Sequence, residues 1–299
     1  MHAYYCDHFV LPLPPAHRFP MEKYRLLRQR VSRELPGIQM YVPRAASEEA
    51  LTRVHTPAYV EQVLTGSLEA DQVRRIGFPW SPALVERSRR SVGGTVAAAR
   101  QALFDGGAVN LAGGTHHAFA DRGEGFCVFN DVAVSIAAMK HEARIERAAV
   151  VDLDVHQGNG TAHLFAADPS VFTASVHGAG NFPFRKERGD LDVALPDGAG
   201  DRDFLAATRR ALAAAVEHGP DLLYYIAGAD AHVGDRLGRL AVSQQGLASR
   251  DLMVVDACRR HAIPLVIVMA GGYGTRVEDT VAIHFHSVEA LLMERRKAA

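Results

Sequence analysis

The chain has 299 residues, enough for one large α/β domain or two small ones. Hydrophobic residues make up 48% and charged residues 22%, with a formal net charge of -1; this is ordinary globular usage and gives no support to direct nucleic-acid binding or to a membrane-surface protein. Three cysteines, Cys6, Cys127 and Cys258, are too few and too scattered for a disulfide framework or a Cys-based zinc site, which points to a reducing, cytoplasmic setting.

The N-terminus, MHAYYCDHFV, has no basic segment followed by an apolar one, so no signal peptide is expected. A short strand is predicted over His2 to Tyr5, then a Pro-rich loop to residue 20. Residues 21–35 read as a helix closed by Pro36-Gly37. Pro57 to Leu64 reads as a helix with Pro in its first turn. Residues 69–81 read as a polar loop holding the only tryptophan, Trp80. Pro82 to Phe104 is a long helix whose small residues, Gly93, Gly94, Ala97 and Ala98, allow close packing. Strand-like runs follow at Ala108–Leu111, Ala149–Leu153, Val171–Val176, Leu222–Ile226 and Pro264–Met269. Helical patterns separate them at Asp131–His141, Gly158–Ala166, Arg202–His218, Gln245–His261 and Val277–Glu294. The longest apolar run, Ile263 to Ala270, is too short to span a bilayer. Apolar strands alternating with amphipathic helices predict an α/β fold, a mainly parallel sheet covered on both faces. No repeat, low-complexity tract or linker divides the chain, so one domain over 1–299 is expected, and nothing assigns an oligomeric state.

In such sheets, ligands bind at the carboxyl ends of the strands. The polar clusters sit there: Ala112-Gly-Gly-Thr-His116-His117, then Asp152 to Gly160, His177-Gly-Ala-Gly, Ala227-Gly-Ala-Asp230-Ala-His232, and Ala270-Gly271-Gly272-Tyr273-Gly274. The central stretch is Ala148 to Gly160, AAVVDLDVHQGNG. Asp152, Asp154 and His156 fall at every second position, which puts them on one face of an extended chain. Buried carboxylates are costly unless a cation or a set of donors meets them. Asp154, His156 and Asp230 make a three-ligand set suited to zinc, with a position left for water or substrate. His116 and His117 can act as acid and base near neutral pH. A phenol at Tyr273, turned inward by two glycines, can donate to a developing oxyanion.

GTHHAF, GFCVFND, DLDVHQGNG, AGADAH followed by GDRLG, and GGY, in this order and spacing, resemble the zinc-dependent histone deacetylase family. RVHTPAYV at 53–60 is similar to an N-terminal segment of that family, and the resemblance runs from about His17 to the C-terminus. Gln157, where other classes usually carry a second His, and GDRLGRLAVS at 234–243 make the class IV enzymes and the bacterial histone deacetylase-like amidohydrolases the nearest in kind. The resemblance implies the arginase/deacetylase fold, with about eight strands, and hydrolysis of an acyl-lysine-type amide in a protein, a peptide or a small acyl amine. It implies Asp154, His156 and Asp230 as ligands of one Zn²⁺, His116 and His117 as the catalytic pair, and Tyr273 as the oxyanion donor. Asp152 matches the carboxylate that orients His116, and Asn159 sits where a partner of His117 is expected. Structural K⁺ is implied at two places. The first uses Asp152 and the Ser175 hydroxyl, with the carbonyls of Asp154, His156 and Val176. The second uses carbonyls around Phe165, Asp168 and Val171. Gly125, Phe126, Phe182 and Gly272 match an acyl-lysine tunnel with Leu237 on its rim.

Two departures from the pattern stand out. His232 forms a second Asp-x-His where the family more often has an apolar residue; it is expected to point into its own loop, the alternatives being a rim group or part of an arginase-like dimetal site. Gly158 stands where the arginases carry another Asp ligand, which argues against two metals. The loop from Asn181 to Asp190 carries Arg185, Lys186 and Arg188, either as a solvated loop or as a selector of an anionic partner. Competing functions are an acetylpolyamine or other small-amide amidohydrolase, and a non-catalytic metal-binding interaction module. The class IV resemblance also implies a preference for long acyl chains.

Overall fold

The computed structural model describes residues 1–14 and 17–298; Pro15 and Ala16, in the expected Pro-rich loop, lie outside them. The strands are β1 (His2–Tyr4), β2 (Gln39–Tyr41), β3 (Gly107–Asn110), β4 (Ala148–Asp152), β5 (Val171–Gly178), β6 (Leu191–Leu195), β7 (Leu222–Ala227) and β8 (Leu265–Met269). They form one eight-stranded sheet in the order β2-β1-β3-β8-β7-β4-β5-β6, and each neighbouring pair is parallel.

The apolar strand runs are continuous because both faces of the sheet are covered. On β7 the alternation of a pleated strand sorts side chains by face. Leu222, Tyr224 and Ile226 join Val150, Val266 and Val268 in one core, and Leu223, Tyr225 and Ala227 join Val151 and Ile267 in the other. The first core is closed by α3 (Pro57–Thr65), α5 (Pro82–Asp105) and α6 (Asp131–His141), and the second by α1 (Glu22–Glu34), α8 (Asp201–Glu217), α9 (Gln244–Arg260) and α10 (Val277–Ala298). Buried hydroxyls find partners: Tyr224 lies 2.8 Å from the Ser135 hydroxyl, and Tyr225 donates to Asp251. The glycines of α5 do allow close approach, since a Cβ at Gly93 would sit 1.9 Å from the Arg44 carbonyl.

The expected loop at 69–81 contains a helix, α4 (Ala70–Ile76), opened by a reciprocal Glu69–Gln72 cap and closed by Gly77 at φ +83°. A one-turn helix, α2 (Glu48–Thr52), is capped by Ser47. The edge strands β2 and β6 were not expected from the pattern, and β5 runs on to Gly178, so His177 lies inside the strand. The short helix α7 (Asn159–Phe165) follows the turn after β4. Among the described residues no helix is long and apolar enough to cross a membrane, and the three cysteines are free and buried.

Candidate active site

In the sheet, β3, β8, β7 and β4 lie side by side. Their carboxyl ends therefore bring His116 and His117, the Gly271-Gly272-Tyr273 turn, Asp230, and the Asp152-to-His156 segment to one place. Asp154, His156 and Asp230 offer ligand atoms that all lie within 4.8 Å of one another. His156 Nδ1 is 2.9 Å from Asp154 Oδ1 and 3.1 Å from Asp230 Oδ2. Backbone N–H groups aim the carboxylates: Gly271 donates to Asp154 Oδ2 at 2.7 Å and Val155 to Asp230 Oδ1 at 3.0 Å. Gly271 is required by space, because a Cβ there would sit 1.7 Å from Asp230 Oδ2 and 2.6 Å from Asp154 Oδ2. Burial, and then the neighbouring Asp154 charge, push the Asp230 carboxyl up to about 7. Burial disfavours charge on His156, but its hydrogen bonds to Asp154 and Asp230 outweigh that and raise the imidazole to about 10. Two carboxylates and one imidazole at this spacing fit a divalent, zinc-like ion.

The two adjacent histidines are pushed apart in basicity. His116 Nδ1 donates to Asp152 Oδ2 at 2.6 Å. Burial alone would lower His116, but the Asp152 carboxylate prevails and holds it at about 9. His117 Nδ1 donates to Asn159 Oδ1 at 2.7 Å. Burial, then the charges of His116 and His156, push His117 well below its ordinary value. The two neighbours are thus biased in opposite directions, His116 toward the cation by the Asp152 carboxylate and His117 toward the neutral ring by burial, the division of labour an acid–base pair needs. Burial, then Asp230 and Asp154, hold the Tyr273 phenol well above its ordinary value, so it stays protonated as a donor.

A cavity of about 960 Å³ opens to solvent and is lined by His117, His156, Tyr273, Gly125, Phe126, Phe182 and Leu237 among others. The Phe182 ring stands edge-on to His117 at 4.9 Å, and the Phe126 ring is 6.0 Å from Tyr273. A Cβ at Gly125 would lie 2.6 Å from His117 Cδ2 and 3.2 Å from the Phe182 ring, so only glycine leaves the passage between them open. Phe126 has φ +67°, uncommon for a residue with a Cβ; its N–H is held by the Ile76 carbonyl at 2.8 Å. Gly271, His116, Tyr24 and Phe19 line a smaller cavity of about 40 Å³ on the inner side of His156 and Tyr273. Gly272, expected in the tunnel, is in neither lining. It lies behind, at φ +148°, where a Cβ would meet the Thr280 and Ala229 side chains.

Ser175 pairs in register with Asp152 across β5 and β4, and its hydroxyl is 3.0 Å from His177 Nδ1; Val176 follows on the same strand. At the second implied K⁺ position, the Phe165 and Asp168 carbonyls accept the Asp168 and Val171 N–H groups, and Lys140 binds the Asp168 carboxylate at 2.8 Å. His232 turns into its own loop, where Nδ1 accepts the Gly234 N–H at 3.2 Å. A Cβ at Gly158 would lie 2.3 Å from Asp152 Oδ2, so a carboxylate there would displace the Asp152–His116 pair. Gln157 clamps the 181–190 loop by bonding Asp192 and both backbone groups of Glu187.

Three contributors were missed in the sequence. Glu124 Oε1 accepts from Asn159 Nδ2 at 2.6 Å, which fixes the amide so that its oxygen faces His117. Asp235 accepts the N–H groups of Tyr273, Leu237 and Gly238 and so joins the loops after β7 and β8. Lys23, on α1, is 2% exposed and donates to the Ala270 and Gly272 carbonyls at 3.0 and 3.4 Å. Burial draws its ammonium down to about 8 against the pull of Asp230 and Asp154. A charged residue between two glycines, GEG at 123–125, was the one local signal for Glu124.

Comparison with known proteins bears on the same segments. An uncharacterised protein of Picosynechococcus is 43% identical over 94% of this chain and 94% of its own length. Histone deacetylase 2 of Arabidopsis thaliana is 35% identical over 77% of this chain, and the histone deacetylase-like amidohydrolase of Pseudomonas aeruginosa 34% identical over 79%. The matches cover 62% and 66% of those two proteins, so the chain spans under two thirds of their length. The crystal structure of the HDA15 HD domain superposes with a TM-score of 0.82 over 98% of this chain and 91% of that one, at 23% identity, which identifies the arginase/deacetylase fold. The histone deacetylase domain model matches residues 17–288, a span that holds the carboxyl ends of β3, β4, β7 and β8, and the chain belongs to the histone deacetylase domain family.

Proposed function

We propose that this chain is a zinc-dependent hydrolase that removes the acyl group from N-acyl-lysine, working as a single catalytic domain over 1–299 and resembling the class IV enzymes. The observation that carries the proposal is a pair of adjacent buried histidines, His116 bonded to the Asp152 carboxylate and His117 to the Asn159 amide, beside the Asp154, His156 and Asp230 group at the inner end of an open passage. A non-catalytic binding module needs no such pair.

Asp154, His156 and Asp230 would hold a divalent ion, which would supply Lewis-acid polarisation of the acyl carbonyl and a more acidic water. His117 is neutral, with Nδ1–H committed to Asn159, so its Nε2 lone pair is free to take a proton from the attacking water. The same nitrogen then returns that proton to the leaving lysine amine. His116, held cationic by Asp152, keeps positive charge beside the reacting carbonyl. Tyr273 donates its phenol hydrogen bond to the carbonyl oxygen as negative charge grows there. Phe126 and Phe182 flank the passage and keep water from the lysine methylenes. K⁺ at the Asp152/Ser175 and Phe165/Asp168/Val171 positions belongs to this reading as a structural cation, and a cytoplasmic location is in keeping with three free, buried cysteines.

The test is acyl release from a panel of acyl-lysine peptides, before and after chelation and after Zn²⁺ is restored. Turnover that chelator abolishes and Zn²⁺ restores is expected. Turnover indifferent to chelation, or turnover of acetylpolyamines alone, sinks the proposal.

A further inference from the structure

The mouth of the 960 Å³ cavity is basic although the whole chain carries a net charge of -1. Three separate segments bring guanidinium groups to its lining: Arg18 before α1, Arg74 and Arg75 at the end of α4, and Arg236 and Arg239 in the loop after β7. Glu124 is the one carboxylate in that lining, and it is engaged with Asn159. Arg74 pairs with Asp71, and Arg239 with Asp197 at 3.3 Å. Arg18 and Arg75 are exposed and have no carboxylate partner among the described residues. Arg236 spends Nε on the Tyr273 carbonyl at 2.9 Å and keeps its two terminal nitrogens. The 181–190 loop, which gives Asn181, Phe182 and Phe184 to this lining, also carries exposed Arg185 and Arg188 just after Phe184, which is 85% exposed; of its carboxylates, Asp190 is tied to Thr173 and Glu187 lies against His163. Lys186 does not join them, because its ammonium donates to the Asn181 and Pro183 carbonyls.

We infer that this mouth recognises acyl-lysine set among acidic residues, with Arg18, Arg75 and Arg236 meeting carboxylates that flank the acylated lysine in a peptide or protein. The inference deepens the deacylase reading and rests on it. A guanidinium presents paired N–H donors that match a carboxylate, and three unneutralised ones around one opening form a local field that steers anions. A polyamine or a Lys/Arg-rich tail would instead bring like charges together. A peptide crossing the mouth offers several carboxylates to guanidiniums from separate segments, whereas a small acyl amine with one carboxylate offers one.

The experiment uses the full chain loaded with Zn²⁺ and three peptides that share one central acyl-lysine. Their flanks are Asp/Glu, Ser, or Lys. Free acyl-lysine, with its own α-carboxylate, is a fourth substrate. The expected order of kcat/KM is acidic above neutral above basic, with about tenfold between the extremes at low salt, and the spread should shrink as salt screens exposed charges. The double variant Arg18→Gln/Arg75→Gln should bring the acidic peptide down toward the neutral one. Equal values for all flanks, a preference for Lys flanks, or an equal loss on all three peptides in the double variant overturns the inference. Free acyl-lysine turned over as well as the acidic peptide also overturns it, in favour of a small anionic substrate. Fluorescence anisotropy with the same peptides keeps the two readings apart. No turnover with the charge order intact in binding removes the deacylase reading alone. No charge order in binding removes the inference.

Discussion

Glu124 is expected to set the protonation pattern of the proposed catalytic pair, His116 and His117, through Asn159. His117 works as a base only if its proton sits on Nδ1, and Nδ1 faces Asn159 Oδ1 at 2.7 Å. An amide can present either its oxygen or its NH₂ to that position. The Glu124 carboxylate, 2.6 Å from Asn159 Nδ2, selects the oxygen. A hydrogen bond to a charged group is worth about 1.5–3 kcal/mol. Glu124 is half-buried, so the lower part of that range, about 1.5–2 kcal/mol, applies once solvent is allowed for. Glu124→Ala should therefore lower kcat by about 10- to 30-fold, with KM nearly unchanged, because the lost preference bears on proton transfer and not on ground-state binding. Glu124→Gln keeps an acceptor oxygen and should recover much of the loss. The assay is steady-state acyl release from a neutral acyl-lysine peptide, with folding checked by circular dichroism. Wild-type kcat in a folded Glu124→Ala protein would refute the relay. So would equal losses in the Ala and Gln variants, which point to a structural role instead.

Four other outcomes are expected. Tyr273→Phe should fold normally and lose about 3 kcal/mol of transition-state stabilisation, or 10²–10³ in kcat; near-normal kcat leaves Tyr273 as a packing residue. Elemental analysis should find one divalent ion per chain and its loss in Asp230→Ala, whereas two ions per wild-type chain point to a dimetal site. Acyl chains longer than acetyl should raise kcat/KM, because the inner cavity of about 40 Å³ shares Phe19, Tyr24, Gly113, Thr115 and Phe126 with a further one of about 50 Å³, and each methylene buried there gains up to about 0.8 kcal/mol; a steep fall beyond acetyl means the inner cavity is closed. Acid should destabilise the fold through His55, whose Nδ1–H donates to the Phe119 carbonyl at 2.9 Å while Nε2 accepts the Asn130 N–H at 3.0 Å. Burial draws it down from 6.5 to about 4, so the unfolded chain takes up a proton below pH 6.5 that the folded chain refuses. Its share, about 3 kcal/mol, is fully present above pH 6.5 and is lost as pH falls from 6.5 to 4; denaturant titrations of wild type and His55→Gln that lose stability equally over this window would exclude His55 as the cause.

What the sequence disclosed depended on how far apart the partners lie along the chain. Asp152, Asp154 and His156 alternate on one strand end, and His116 and His117 are adjacent, so local spacing was enough to propose a site. Glu124 meets Asn159 across 35 residues, Asp235 meets Tyr273 across 38 and Lys23 meets Ala270 across 247. No local pattern records such pairings. Gly271 and Gly272 are indistinguishable as letters; only the turn shows that one clears the ligand carboxylates and the other packs behind them. The helix α4 was hidden because Asp71, Gln72, Arg74 and Arg75 give it almost no apolar stripe, although Glu69, Gln72 and Gly77 mark both ends. The edge strand β6 was hidden for the opposite reason. It is five residues long and alternates between half-buried and exposed, which an irregular loop can also do.

Lys23, missed in the sequence, shares one physical task with Arg250. Asp154 and Asp230 are 1% and 0% exposed, and charges so deeply buried are costly unless donors and cations surround them. The nearest donors are backbone N–H groups of Gly271, Val155 and His156, which hold the carboxylate oxygens in place with bonds the chain makes by itself. Behind that layer stand two buried cations. Lys23 caps the Ala270 and Gly272 carbonyls from α1, and Arg250, from α9, caps the Gly228 carbonyl while paired with Asp251. Each cation fastens a glycine-rich turn to a helix on the back of the sheet, and each lends positive charge to the ligand carboxylates in front of it. The glycines give the turns their close approach, and the helices remove the freedom that glycine would otherwise leave. On the proposed reading, rigid donors in front of cation-braced turns would hold the three proposed ligand atoms ready before an ion or substrate arrives, which is the condition under which an electrostatic site spends least on reorganisation during reaction.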